Sequence, residues 1–377
     1  MLLRSSLLPV AIPLRMGRAM RASACQGGPA TSQKAWRLSS SVIILAPYHS
    51  VPDCELTDPK TRDAKFDYRV CCVKRAARST FMPDAMVFPG GAVDAADAGS
   101  AAQLLGSDGQ DLQATLLCAA VREVFEESGV GLFQPPLSLD AARQTSWRQR
   151  LHADAAELRS LCREHQVLPS VGSLSYWCSF ITPDMEHARL AKGGFDARFY
   201  VCCAEESQLR WAASDSKETV SLVWITPGEA LSAVADGRIS MVPPQWYILN
   251  ELAESCSRMS EVTAYAASAS RRLQREYPIK PYPVAIPSEE RSALVKRHDA
   301  SKAVSDSKNE GKTPPTFALC FPGDDAHPVF PGAQGARHRL LMVGALGGRM
   351  AYELCREPAP ELPLREAQEG WYRLAKL

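Results

Sequence analysis

The stretch Arg122-Glu123-Val124-Phe125-Glu126-Glu127-Ser128-Gly129-Val130 constrains this chain more than any other. In a helix, Glu123, Glu126 and Glu127 stand at i, i+3 and i+4 and share an arc of about 100°. The opposite arc carries Ala114, Leu117, Cys118, Val121, Val124 and Phe125, a stripe suited to burial. The spacing therefore predicts a helix that ends at Gly129 and turns its acids together, away from the core. Such a helix works against itself. Like charges at i, i+4 repel and acids near a C-terminus oppose the macrodipole, each by a few tenths to about 1 kcal/mol. Oxygen-only ligands on one rigid element suit a hard divalent cation such as magnesium or manganese, which is shared with substrate phosphates. The plainer reading of the same residues is a solvated acidic face.

Arg122 to Val130 also matches, position for position, the second half of the Nudix box: glycine, five residues, glutamate, seven residues, then Arg-Glu-apolar-x-Glu-Glu-x-Gly-apolar. Phe88-Pro89-Gly90-Gly91 resembles the glycine entry to that box. Gly91, however, precedes Arg122 by 31 positions, so about 17 residues have been inserted relative to the pattern. Ala92 to Asp111 reads as a small-residue loop rich in Gly and Asp. Counting back from Arg122, the first glutamate of the box is replaced by Ala114, with Asp108 or Asp111 as candidates to fold in for it. The chain thus resembles the Nudix hydrolases. That resemblance implies cleavage of a diphosphate with magnesium or manganese, the metal held by Glu123, Glu126 and Glu127 and the loop braced by Arg122. It also implies that Glu126 and Glu127 work with Arg122 in catalysis. Nudix enzymes recruit a proton acceptor from other loops as well, and Glu218, ahead of an expected strand ending near Trp224, is the candidate; an ordinary surface glutamate is the alternative.

Substrate choice must come from outside the box. Cys71-Cys72-Val73-Lys74-Arg75-Ala76 followed by Phe88-Pro89-Gly90-Gly91 is similar to the additional motif of coenzyme A-cleaving Nudix enzymes, although Val73, Thr80 and Asp84 stand where that motif has Thr, Arg and Gly. Phe81-Met82-Pro83-Asp84-Ala85, Ala95-Ala96-Asp97 in the interrupted box, Gly194-Phe195-Asp196 and Pro243-Pro244-Gln245 extend a likeness to the peroxisomal acyl-coenzyme A diphosphatases of the superfamily over roughly residues 40 to 355. What this implies is hydrolysis of coenzyme A and acyl-coenzyme A to 3′,5′-ADP and the (acyl-)4′-phosphopantetheine. Lys74, Arg75 and Arg78, with Gly90 and Gly91, become the expected substrate contacts, since an extra 3′-phosphate rewards nearby cations. A solvated strand end is the competing reading of the three cations. Other Nudix substrates (NADH, ADP-ribose, a nucleotide sugar, an RNA cap) and a non-catalytic Nudix-fold binding module are the rival functions.

A net charge of +1 gives no global pull toward nucleic acid or an anionic membrane. No apolar run approaches the about 18 residues of a membrane span, so no span and no nucleic-acid partner are expected. Twelve cysteines are scattered, include Cys71-Cys72 and Cys202-Cys203, and never form CxxC, which speaks for reduced thiols. Ala375-Lys376-Leu377 resembles a peroxisomal C-terminal signal, making the import receptor an expected partner. Residues 1 to 52 hold six basic residues and no Asp or Glu, a presequence-like composition that keeps the mitochondrion as the alternative address.

Four regions follow: a basic tail or targeting segment at 1–39; a Nudix domain at 40–283 with its box split between 88–91 and 114–130; a flexible linker or loop at 284–315; and a small β appendage at 316–377. Apolar runs predict strands at Ser39 to Ala46, Tyr68 to Lys74, Val130 to Phe133, Ser173 to Thr182, Phe195 to Cys203 and Val220 to Ile225. Trp147, Leu151, Ala155, Leu158 and Leu161 predict one or two extra helices between Asp140 and Gln166, and helical stretches follow from Pro227, Pro243 and Val262. The expected fold is α/β, a Nudix-type α/β/α sandwich around a mixed sheet. The extra helices and those after Pro243 are candidates to line a channel for the acyl-pantetheine arm with Trp246 and Tyr247, core packing being the alternative for either ring.

Overall fold

Strand β1 (Arg37–Pro47) is apolar on both sides, and the reason is its central place: Val42, Ile44 and Ala46 pack into one layer while Ile43 and Leu45 pack into the other. The structure is a computed structural model that describes residues 34–54, 63–77, 84–215, 219–268, 271, 278–299, 316–344 and 350–357. Strands β2 (Tyr68–Arg75), β3 (Ala85–Val87) and β4 (Gly90–Ala92) lead to helices α1 (Ala95–Leu105) and α2 (Leu112–Ser128). Then come β5 (Phe133–Gln134), α3 (Ala141–Ala153), α4 (Glu157–His165), β6 (Leu168–Pro169), β7 (Ser175–Ile181), α5 (Asp184–Arg189), β8 (Phe195–Cys203), α6 (Glu206–Leu209) and β9 (Thr219–Ile225). The chain continues through α7 (Pro227–Ala235), β10 (Ser240–Met241), α8 (Pro243–Ser255), α9 (Met259–Ala267), β11 (Tyr282–Val284), α10 (Ser288–Asp299), β12 (Thr316–Cys320), β13 (Arg337–Gly344) and β14 (Met350–Glu357).

The main sheet has eight strands in the order β10-β3-β2-β1-β8-β7, with β4 also on β1 and β9 also on β2. β1 runs parallel to β8 and β3 parallel to β10, and the remaining pairs are antiparallel, so the sheet is mixed. On one face lies α2, backed by α3 and α4, whose Val124, Trp147, Leu151 and Leu161 share a core with Ile44 and Tyr200. On the other face α7, α8 and α9 bring Val234, Leu249 and Val262 against Ile43, Cys72 and Val201. This is the expected α/β/α sandwich. Trp246 and Tyr247 are buried in that second core, Tyr247 against Phe321, so packing is their role. No helix among the described residues is long and apolar enough to cross a membrane.

The C-terminal strands form their own antiparallel sheet in the order β11-β12-β13-β14. One face, through Leu340 and Met342, joins the core of α7 to α9. Leu341 and Val343, on the alternate face, pack with Ala318, Ile286 and Leu294 of α10. The expectation of a flexible linker over 284–315 is therefore corrected in its first part. Ser288–Asp299 is a helix that one apolar side chain, fully buried Leu294, holds to the sheet, and its polar composition reflects its other, exposed sides. Residues 300–315 lie outside the described residues.

Candidate active site

Helix α2 begins where Asp111 caps it, its side chain accepting hydrogen bonds from the amides of Gln113 and Ala114. It stops at Gly129, whose left-handed φ of 70° and Cβ position 2.7 Å from the Trp211 carbonyl leave no room for another residue. The acids therefore occupy the last turns, as expected. They do not face away from the protein. Glu126 and Glu127 are only 7% and 4% exposed, because the glycine turn and the inserted helices close over the helix end.

Arg122 sits at the centre of these acids. Its Nε and Nη2 donate to both oxygens of Asp97 at 2.8 Å each, its Nη1 donates to Glu123 and Glu126 at 2.9 Å each, and Nη2 also reaches the Ala92 carbonyl at 3.2 Å. Burial works against its charge, but the Asp97, Glu123 and Glu126 carboxylates raise its proton affinity well above the ordinary value. Burial lifts the Glu123 carboxyl up to about 7 against the opposing pull of Arg122. It raises Glu126 too, in spite of Arg122 and of His152, whose Nδ1 lies 3.9 Å from Glu126 Oε2.

The glycine turn meets the same acids. Strand β4 pairs with β1 so that Gly90 opposes Ser41 and Gly91 opposes Ser40. The Gly90 amide donates to Glu127 Oε2 at 2.9 Å. At Gly90 a Cβ would run into the Ser40 carbonyl and the Ser41 backbone, and at Gly91 it would lie 2.5 Å from the Glu123 carboxylate. Gly90 thus needs glycine, for its backbone neighbours and its φ of 153°, while a side chain at Gly91 would displace the Glu123 carboxylate.

Asp97 stands out in the sequence only within Ala95-Ala96-Asp97, with no role expected of it at the site. It is fully buried, and besides Arg122 it accepts the Asp94 amide at 2.8 Å. Five residues separate Gly91 from Asp97, which is the spacing from glycine to first acid in the Nudix box. The insertion therefore falls after the first acid, not before it, and counting forward from the glycine would have found it. Asp108 and Asp111 do not substitute for that acid: each accepts local amides, Asp108 from Gln110 and Asp111 at the helix cap. Ala114 packs beside Ala101 and Cys118. Of the expected cations, Lys74 faces Asp84 at 3.4 Å across the start of β3. Arg75 lies opposite Thr219 in the β2–β9 register, and the Thr219 hydroxyl reaches the Glu127 carbonyl at 3.4 Å. Arg78 and Glu218 lie outside the described residues.

A mixed sheet between helical layers, with a glycine turn folded against the carboxylate end of one helix, defines a hydrolase of the Nudix class. The family model of the NUDT19 Nudix domain matches residues 36–115 and 107–252, two stretches that meet inside the α1–α2 segment. Similar proteins include the acyl-coenzyme A diphosphatase NUDT19 of Gallus gallus, 30% identical over 289 residues that span 63% of this chain and 73% of that one. The Homo sapiens protein of the same name is 28% identical over 294 residues, 65% of this chain and 76% of its own. The one from Xenopus laevis is 27% identical over 271 residues, 58% and 70%. The chain belongs to the NUDT19 Nudix family.

Nudix hydrolases generally use divalent metals, and the donor set here suits one. Asp97, Glu123 and Glu126 all touch the single guanidinium of Arg122 and Glu127 lies nearby on the Gly90 amide, so the carboxyl groups gathered here outnumber that arginine. All donors are oxygens. Among the described residues, no three His, Cys, Asp or Glu side chains converge on one point as they stand, since the glutamates turn oxygens to Arg122 and Gly90.

Proposed function

We propose that the protein hydrolyses the diphosphate of coenzyme A and acyl-coenzyme A, releasing 3′,5′-ADP and the (acyl-)4′-phosphopantetheine. The observation that carries this reading is the joining of Gly90 and Gly91 to Glu127 and Glu123 in one buried cluster, in a chain whose relatives are named acyl-coenzyme A diphosphatases. In the reaction, water forms one new P–O bond and the bridging P–O bond breaks, leaving two phosphomonoesters. Glu123, Glu126 and Glu127 would hold the metal. When bound, magnesium or manganese supplies Lewis-acid charge to the diphosphate oxygens and to the attacking water.

The protein's own groups do the rest. Arg122, locked by Asp97, fixes Glu123 and Glu126 from behind. The Gly90 amide fixes Glu127, and the side-chain-free turn lets a diphosphate approach the acids. Glu218, just before β9, takes the role of proton acceptor from outside the box. Lys74 and Arg75 at the end of β2, and Arg78 further along the sequence, are assigned to the phosphates of coenzyme A, the 3′-phosphate above all. The test is turnover of coenzyme A and an acyl-coenzyme A beside NADH, ADP-ribose and capped RNA, each with magnesium, with manganese and after chelation. Coenzyme A substrates should win, and only with metal; a preference for another substrate, or indifference to chelation, overturns the proposal.

The peroxisome is the proposed address, read by the import receptor from Ala375-Lys376-Leu377, which lies outside the described residues; the basic N-terminus makes the mitochondrion the alternative. A fluorescent protein fused ahead of the last residues of the chain should be peroxisomal and turn cytosolic when Leu377 is deleted. Mitochondrial signal from the full chain would reverse the assignment.

A further inference from the structure

Helix α3 belongs to the segment that a minimal Nudix domain lacks, yet it touches the metal helix at its most sensitive place. The last carbonyls of a helix have no partner within it. In α2 they are answered one after another: Phe125 by the Gly129 amide, Ser128 by the Ala213 amide at 2.8 Å, and Gly129 by Gln144 Nε2 at 2.5 Å. Glu126 and Glu127 are both answered by Arg148, whose Nε and Nη2 donate to their carbonyls at 2.9 and 3.0 Å, while the Thr219 hydroxyl reaches the Glu127 carbonyl less closely at 3.4 Å. Gln144, Trp147, Arg148 and Leu151 stand at i, i+3, i+4 and i+7, so one face of α3 carries both these polar contacts and the buried Trp147 and Leu151 that anchor it. The end of α2 combines its dipole's negative pole with three carboxylates, and a cation there opposes both.

We infer that Arg148 is a positioning residue: its guanidinium fork pins the peptide groups of Glu126 and Glu127 and so sets the placement of the metal-binding carboxylates. The inference rests on the function proposed above. It also gives the inserted helices a purpose, as a brace behind the box. A lysine cannot replace the fork, because one ammonium does not span two carbonyls in fixed geometry.

The experiment compares the full chain with its Arg148→Met and Arg148→Lys variants by three measurements: manganese affinity by electron paramagnetic resonance, amide hydrogen exchange at Glu127 to Val130 without metal, and steady-state kinetics on coenzyme A. Arg148→Met should bind manganese at least tenfold more weakly, exchange those amides faster, and lose kcat with little change in KM at saturating metal. Arg148→Lys should stay within threefold of Arg148→Met. Unchanged exchange, unchanged or tighter manganese binding, or full rescue by lysine overturns the inference, tighter binding and lysine rescue both marking a purely electrostatic role. Should Arg148→Met fail to fold, Arg148→Lys decides alone, since wild-type behaviour refutes the fork. Exchange needs neither metal nor substrate. An unmodified protein that ignores manganese or coenzyme A therefore sinks the proposed function while the exchange result still judges Arg148.

Discussion

Of the buried clusters that arginine and carboxylates build among the described residues, two differ in their arithmetic. In the second core, Arg271 meets one acid, Glu251, through two hydrogen bonds of 3.0 Å, and the remaining lone pairs of Glu251 accept from Trp177 Nε1 at 3.0 Å and the Tyr265 hydroxyl at 3.4 Å. Charge is balanced there, the guanidinium stacks on Trp177 at 3.9 Å, and the group pins α8 to β7. At the end of α2, Arg122 meets three acids with a fourth alongside, and burial raises the proton affinity of two of them. A balanced pair holds a fold together. Under the function proposed above, the excess of acids at the end of α2 would be met by a further cation, so the same residue types would serve stability in one place and chemistry in the other.

The contrast breaks if a change at one cluster has the effect expected of the other. The largest effect is expected from Glu127→Gln, which should lower kcat/KM for coenzyme A by about 10³-fold or more, roughly 4 kcal/mol of transition-state stabilisation, with the thermal midpoint unchanged or raised. A folded variant of normal activity removes Glu127 from the chemistry. Glu251→Gln should do the reverse, leaving Arg271 buried and poorly paired at about 3 kcal/mol of stability, while residual folded enzyme keeps its kcat. Chemical denaturation of both variants makes the comparison.

A third measurement concerns buried histidines far from the acids. Burial lowers His327 and His338 from 6.5 to about 4. Above pH 6.5 neither the folded nor the unfolded chain protonates them; below it the unfolded chain takes up protons that the folded one refuses. Stability should thus fall as pH drops from 6.5 to about 4, by on the order of 3 kcal/mol for each histidine at most. Denaturation midpoints of His338→Gln against the unmodified chain over that range check it, and an unflattened pH slope in the variant removes His338 from the account. The smallest effect sharpens the comparison inside the acid cluster. Asp97→Asn keeps the shape but loosens Arg122, and should lower metal affinity or activity by about 10- to 100-fold, as loss of an orienting partner behind metal ligands does. A loss as deep as that of Glu127→Gln would make Asp97 part of the reacting set instead.

The sandwich was legible because its central strands are apolar on both faces: β8 runs from Phe195 to Cys203, as the sequence reading had it, and β1 extends the expected run by one or two residues at each end. Helix α2 and its glycine stop were legible from periodicity and a positive-φ requirement. What stayed hidden was tertiary. Asp97 stands at the box spacing from Gly91, but its bond to Arg122, 25 positions further on, is made only by the fold. The burial of Glu126 and Glu127 comes from β4 and the inserted helices, which no count along α2 reveals. The short apolar run Ala293-Leu294-Val295 within a charged segment could not announce α10, because the surface that Leu294 fits is assembled from β12 and β13.

The bond between Asp97 and Arg122 also says something about how such a signature can grow. Its two halves are fastened through space by one guanidinium, so the peptide between α1 and α2 need not hold them together, and extra length in a closed loop adds only slowly to its entropy. The turn from Gly106 to Gly109, both at positive φ, falls within that intervening peptide, where added length leaves the Asp97–Arg122 bond itself unchanged in its partners.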